Sequence, residues 1–207
     1  MIRPPGVDGV AFTEAGDGDQ RLDHRSHAAV SAALDLPDVW ASVRQVHGNV
    51  VHRVDDPGIG GEGDALWSTV SRLPLAVFTA DCFGVVLQAP DAVGVAHAGW
   101  RGASAGLLTK LRAEMTRSGH APIRAAIGPG IRACCFEVGD EVATEFDGFA
   151  AVTSWGTVSV DLAAYIVSEL QGLQVWTADS CTRHQPGWFS HRRDQTTERL
   201  ATIGWLP

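Results

Sequence analysis

No stretch of this chain approaches the apolar length that a bilayer crossing needs, and no apolar h-region follows Met1-Ile2-Arg3-Pro4-Pro5-Gly6. Neither a membrane partner nor a secretory leader is therefore expected, and the cytoplasm is the expected compartment. Basic charge is not in excess: 16 basic residues stand against 24 acidic ones, a formal net charge of −8. The global field repels polyanions, which argues against nucleic acid as the main partner. A small anionic substrate then needs a local basic pocket. No repeat or low-complexity tract occurs, and 45% hydrophobic with 19% charged residues excludes a disordered or fibrous chain. Cysteine is scarce, at four: Cys82, Cys134, Cys135 and Cys181. The adjacent pair cannot readily bridge to itself without distorting the backbone, so free thiols or metal ligands are expected. The eight histidines contain no His-X-His pair.

What remains is a length, 207 residues, that suits one domain with a sizeable core. From Val39 onward short β-branched runs alternate with amphipathic stretches, the rhythm of an α/β or α+β sandwich. Val39 to Val54 reads as extended chain, and Asp56-Pro57-Gly58-Ile59-Gly60-Gly61 as a loop because Pro and Gly punctuate it. Leu75–Thr79 and Val85–Leu87 read as buried strands joined tightly through Asp81-Cys82. Val93 to Ala96 reads as a strand ending at His97, and Leu107, Leu108, Leu111 and Met115 fall at helical spacing within Ala105–Arg117. Ile123–Ile127 is strand-like, Asp161 is placed to cap a helix over Leu162–Leu170, and Leu200–Trp205 closes the chain as a strand.

His47, Cys82 and His97 are an N/N/S donor set that suits zinc, and three protein ligands leave a fourth position open, as in catalytic sites. They lie at or near predicted strand ends, where α/β proteins gather their chemistry. Asp81 and Arg101 flank them as polar groups in apolar surroundings, which suggests a lined cleft. Gly99-Trp100-Arg101-Gly102 reads as a strand-to-helix turn suited to an anion. The adjacent cysteines follow the turn Gly128-Pro129-Gly130, where small buried thiols are the plainer reading. Arg192 and Arg193, beside Phe189, fit either a solvated charge run or a phosphate-binding guanidinium pair.

Five ordered motifs carry a resemblance over about Val39 to the end. They are Arg44-Gln45-Val46-His47-Gly48, Thr79-Ala80-Asp81-Cys82, His97-Ala98-Gly99-Trp100-Arg101-Gly102, Ile127-Gly128-Pro129-Gly130-Ile131 with Cys134-Cys135-Phe136-Glu137-Val138-Gly139, and Phe189-Ser190-His191-Arg192-Arg193-Asp194. Together they closely resemble the YfiH or laccase-domain family, whose members often carry a multicopper polyphenol oxidase label. The resemblance implies a sandwich of layered mixed β-sheets flanked by helices, a fold said to be shared with bacterial toxin deamidases. It implies zinc on His47, Cys82 and His97, with copper as a possible occupant. It also implies phosphorolysis of adenosine, inosine, guanosine and methylthioadenosine, together with adenosine deamination. On that basis Cys82, His97 and Asp81 are the expected catalytic residues, and Arg44, Arg101, Arg192 and Arg193 the expected substrate and phosphate contacts. The implied partners are a purine nucleoside and phosphate, and the chain is expected to be a monomer or weak homo-oligomer. Two features depart from the family pattern: a short region 1–38 with His24-Arg25 soon after Gly18-Asp19, and Glu198 where a glycine usually precedes Arg199. Alternatives are a copper-dependent polyphenol oxidase, a hydrolase with a Cys82–His97 nucleophile, and an editing factor for peptidoglycan precursors.

Overall fold

The central strands read as continuous apolar runs rather than alternating ones because they are buried on both faces. A computed structural model describes residues 1–207. The first elements are β1 (Val10–Phe12), α1 (His24–Leu34), β2 (Ala41–Arg44), β3 (Val51–Arg53), β4 (Gly58–Glu62) and β5 (Ala65–Ser68). Then come β6 (Leu75–Thr79), β7 (Phe83–Ala89), β8 (Ala92–Ala98), α2 (Trp100–Ser104), α3 (Leu107–Arg117) and β9 (Arg124–Ile127). The last are α4 (Asp140–Ala143), β10 (Ala150–Val152), β11 (Val158–Val160), α5 (Leu162–Glu169), β12 (Gln174–Thr177), α6 (His191–Asp194) and β13 (Leu200–Gly204).

Two sheets carry the fold. One has five strands in the order β1-β13-β6-β2-β4, the other six in the order β12-β9-β7-β8-β5-β3, and β10 with β11 forms a separate ribbon. Alternate residues of one strand feed different cores, as a period of two requires. In β7, Val86 joins Val10, Phe12, Leu75 and Val77 between the sheets, while Val85 and Leu87 join the core beneath α3 and α5. Ala76, Ala201 and Ile203, on the far face of the five-stranded sheet, pack against Val30 and Leu34 of α1. The layers therefore run helix, sheet, sheet, helix, the mixed α/β sandwich that the sequence implied. Leu107, Leu108, Leu111 and Met115 of α3 are buried, and truncating such a leucine to alanine costs about 2–5 kcal/mol. No helix is long and apolar enough to cross a membrane.

Three readings of the sequence change. Gly58 to Gly61, expected as part of a loop, belong with Glu62 to the edge strand β4, which pairs in parallel with β2. Its glycines lack side chains to pack, and partnering on one edge alone tolerates that. Helix begins at Trp100 rather than Ala105, with Gly99 as its extended N-cap and a break at Gly106. His97 lies within β8, which runs through Ala98. The expected helix after Asp161 forms, and the Asp161 side chain accepts the Ala164 amide at 2.9 Å.

Candidate active site

Two non-glycine residues of the motifs adopt left-handed backbone, His47 at φ 60° and Asp81 at φ 92°, a strain that surrounding bonds must hold. For His47 the holding group is Asp64, at 0% exposure. Its Oδ1 accepts the His47 amide at 3.0 Å, and its Oδ2 accepts those of Val46 at 3.2 Å and Gly48 at 2.7 Å. The same Oδ1 accepts from Nδ1 of His97 at 2.8 Å, while the His97 amide donates to the Asp64 carbonyl at 2.7 Å. One buried carboxylate thus fixes a loop and a ring at once. It leaves Nε2 of His97 for the site, the arrangement by which a carboxylate orients a metal-binding histidine.

For Asp81 the bonds run elsewhere. Its carboxylate accepts the Thr182 hydroxyl at 2.7 Å and the Arg192 amide at 2.6 Å, and its carbonyl accepts the Ile131 amide at 2.7 Å. This shapes the β6–β7 turn so that Cys82 follows it into the site. Asp64, which no motif flanked, is therefore the carboxylate that orients His97.

The ligand atoms of His47, Cys82 and His97 all lie within 4.8 Å of one another. His47 is exposed, Cys82 half-buried and His97 buried, so the cluster is rooted in the sheet and open on one side. Burial alone would push the Cys82 thiol up, but the charge of His97 and hydrogen bonds to His47 and His97 bring it down to about 6. Burial likewise works against protonated His97, yet the Cys82 charge and the Asp64 bond raise it to about 9. The pair is a thiolate beside an imidazolium. Space is kept for it: a Cβ on Gly99 would stand 3.1 Å from Cys82 Sγ and 3.3 Å from His47 Cδ2. A Cβ on Gly102 would stand 2.7 Å from the Gly48 carbonyl. Two imidazoles, one ionised thiol and an oriented outer carboxylate fit a borderline-soft divalent ion such as zinc.

The cluster opens into a cavity of about 1250 Å³, lined by five arginines (Arg21, Arg44, Arg101, Arg192 and Arg199) and three aspartates. A chain of net charge −8 thus carries locally basic walls. Arg101 lies over the Trp100 ring, 4.4 Å from its centroid. Arg192 packs over Phe136 and donates to the Glu137 carbonyl at 2.8 Å. Arg44 reaches out to Glu62 at 3.0 Å, both largely exposed. Arg193 is not in the wall: it donates to the carbonyls of Thr182, Arg183, Gln185 and Trp188 and pairs with Asp194. In its place stand Arg21 and Arg199, which the sequence analysis did not select. Arg199 follows the departing Glu198 in a family motif, and that position was its one visible signal. Burial and the charge of Arg21 hold the Arg199 guanidinium somewhat below its usual range.

Residues 11–207 match the family model described as multi-copper polyphenol oxidoreductase laccase. The chain is similar to "Purine nucleoside phosphorylase ORF3" of Streptomyces griseus, 39% identical over 88% of this chain and 80% of that protein. It is similar also to a "Purine nucleoside phosphorylase" of Deinococcus radiodurans, 36% identical over 90% of this chain and 78% of the relative. Among solved structures, a hypothetical protein YfiH of Bacillus licheniformis superposes with a TM-score of 0.86 at 24% identity, covering 96% of this chain and 92% of that one. This last likeness bears on the fold.

Proposed function

We infer, because this chain belongs to the multi-copper polyphenol oxidoreductase laccase family, that it is a purine nucleoside phosphorylase which binds zinc through His47, Cys82 and His97. The substrates of this reading are adenosine, inosine, guanosine and methylthioadenosine, with adenosine deamination as a second activity. The observation that carries it is the convergence, in one cavity, of the N/N/S cluster and several arginines. The names borne by relatives at 36% and 39% identity support it.

Phosphorolysis joins a phosphate oxygen to C1′ of the sugar as the bond to the base breaks, and the bonding electrons leave with the base. Phosphate must therefore be brought, largely desolvated, against the sugar. Guanidinium forks do this by bidentate hydrogen bonding, and Arg21, Arg44, Arg101, Arg192 and Arg199 are the groups that share the cavity with the cluster. About 1250 Å³ exceeds the roughly 300–1,000 Å³ of common ligand pockets, room for a nucleoside and an anion together. Zinc on the three ligands supplies Lewis acidity, the chemistry that hydrolytic deamination at C6 of adenine uses. Asp64 keeps the His97 ring turned toward the site, and Asp81 holds Arg192 and Cys82 in register on either side of it. Arg193 serves as a strut for the loop 182–188 that backs this wall.

Polyphenol oxidation draws less support from the donor set. Of eight histidines only His47 and His97 meet in a cluster of ligand type, too few imidazoles for several coppers. Incubating the purified, zinc-loaded protein with inosine and phosphate is expected to release hypoxanthine and ribose 1-phosphate, strictly dependent on phosphate. Adenosine alone is expected to give inosine. Absence of both products from protein with stoichiometric zinc would overturn the reading.

A further inference from the structure

Three of the four cysteines lie outside the site above and meet one another. The Sγ atoms of Cys134, Cys135 and Cys181 are all within 4.8 Å, and those of Cys134 and Cys135 stand 3.6 Å apart. Two thiolates bound to one ion at about 2.3 Å stand roughly 3.8 Å apart in tetrahedral geometry and about 4.0 Å apart in trigonal geometry. The separation in the chain is already close to that of shared ligands.

The meeting is built by the sheet, not by local sequence. β12 pairs with β9 in parallel, Thr177 opposite Ile127, so the loops that leave their ends run side by side. Gly130 bridges to Cys181, and the Thr182 amide donates to the Gly130 carbonyl at 3.1 Å. On the other loop, the Cys135 and Phe136 amides both donate to the Arg132 carbonyl at 2.9 Å, and the Ser154 amide to the Cys134 carbonyl at 2.9 Å. The Ser159 hydroxyl donates to the Ala133 carbonyl at 2.7 Å. Each sulfur is thus positioned by backbone fixed on both sides.

Two observations separate this cluster from thiols that merely fill a core. The Arg132 amide donates to Cys181 Sγ at 3.4 Å. An apolar thiol needs no such donor, whereas a thiolate is stabilised by one. The cluster also has access: a cavity of about 450 Å³ is lined by Cys134, Cys181, Arg132, Asp179 and His184. Its rim offers the exposed His184 as a further donor.

We propose that Cys134, Cys135 and Cys181 form a second metal site, which takes a thiophilic closed-shell ion. Three sulfurs alone satisfy Cu(I), while Zn²⁺ completes its four-coordinate shell with His184 or water. Each thiol that binds releases its proton to solvent.

The test is a metal titration of the whole protein, stripped with chelator, reduced and kept free of oxygen, with Cu(I) in one arm and Zn²⁺ in the other. The wild type is expected to bind about two ions per chain in at least one arm, and that arm identifies the ion. Cys181→Ser is expected to lower this to about one, Cys82→Ala to about one, and the double variant to none. A wild type that binds one ion in both arms, lost in Cys82→Ala and kept in Cys181→Ser, would overturn the proposal. A variant that fails to fold is bypassed in the wild type itself by alkylating the thiols with and without metal and counting labels by mass spectrometry. Cys181, which lines the open cavity, is the reporter: its protection by metal supports the site, and its equal labelling in both conditions removes it.

Discussion

Cys82 and Cys134 are each held against two potential metal ligands, yet their thiols are driven in opposite directions. Burial disfavours the thiolate in both places. At Cys82 the neighbours are His97, whose positive charge favours the thiolate, and His47, and the thiol falls to about 6. At Cys134 the neighbours are thiols: burial first, then Cys135 and Cys181, push it up to about 12. The difference teaches that a cysteine cluster is set by the residues that share it. An imidazole partner creates the anion at Cys82 before any ion arrives, whereas thiol partners at Cys134 leave it to be created by the ion; at Cys181 backbone donors overcome burial and lower the thiol instead.

The sharpest way to break this contrast is to remove the pair itself. Cys82→Ala is expected to lower phosphorolysis on the order of 10³-fold, the scale of losing a charge-stabilising group at a reacting centre. The same variant loses the zinc of the first cluster. Initial rates and metal content by mass spectrometry check both, and an active, zinc-free variant would refute the role given to Cys82.

Next in size is Asp64, which has no counterpart at the thiol cluster. Asp64→Ala leaves Nδ1 of His97 and three loop amides without their acceptor, and breaking such a buried pair costs about 3–5 kcal/mol. Denaturant unfolding of the metal-free protein reads this directly. Asp64→Asn, which keeps the shape but not the charge, is expected to weaken zinc binding roughly 10–100-fold.

Asp64 also marks the limit of what the sequence disclosed. His47, Cys82 and His97 were visible because each stands in a distinctive motif, and the apolar runs of β6 to β8 announced a sheet buried on both faces. Asp64 follows Gly61-Glu62-Gly63 with no such flank, and its function arises only when antiparallel β5 and β8 bring it beside His97. Cys181 lies far along the chain from Cys134, and parallel pairing of β9 with β12 joins them, a long-range register that local spacing does not encode. Region 1–38 stood out only as short and departing from the family pattern, yet β1 joins β13 and Arg21 reaches the cavity wall. Arg193 was chosen for its type, which does not disclose that its donors are spent on carbonyls.

The contrast between the thiols can also be sharpened by pH. In metal-stripped protein, Cys82 is expected to react rapidly with iodoacetamide at neutral pH, with a rate that falls as pH drops through about 6. Cys134 is expected to stay largely unlabelled under the same conditions. The folding linkage follows with its sign. A depressed Cys82 pKa gives stability that is full above the ordinary thiol value of 9.0 and lost as pH falls through about 6. A raised His97 pKa gives stability that is full below 6.5 and lost as pH rises through about 9. Between roughly 6.5 and 9 one group takes up the proton that the other gives, so the two slopes cancel and the pair adds no pH dependence there. Measured unfolding free energies that slope steeply across that range only when Cys82 is present would contradict the pairing.

The smallest expected effects separate arginines of the wall from arginines that brace it. Arg199→Ala removes a half-buried cavity guanidinium and is expected to raise the KM for phosphate about 10-fold or more, as loss of a charge-assisted contact does. Its Nη1 also donates to the carbonyls of Thr196 and Glu198, so Arg199→Lys is the companion variant, keeping charge without the fork. Arg193→Ala should instead leave that KM unchanged and cost about 1–3 kcal/mol of stability through its lost carbonyl bonds. Arg44→Ala ends the series. Its partner Glu62 is 3.0 Å away but both side chains are more than half exposed, and such pairs contribute about 0–1 kcal/mol. Thermal unfolding should therefore barely move, and any rise in the KM for phosphate would report on Arg44 as a cavity residue alone. If Arg44→Ala raised that KM as much as Arg199→Ala did, the anion would have to sit toward the β2–β4 edge rather than beneath Arg21 and Arg199, with the nucleoside turned accordingly.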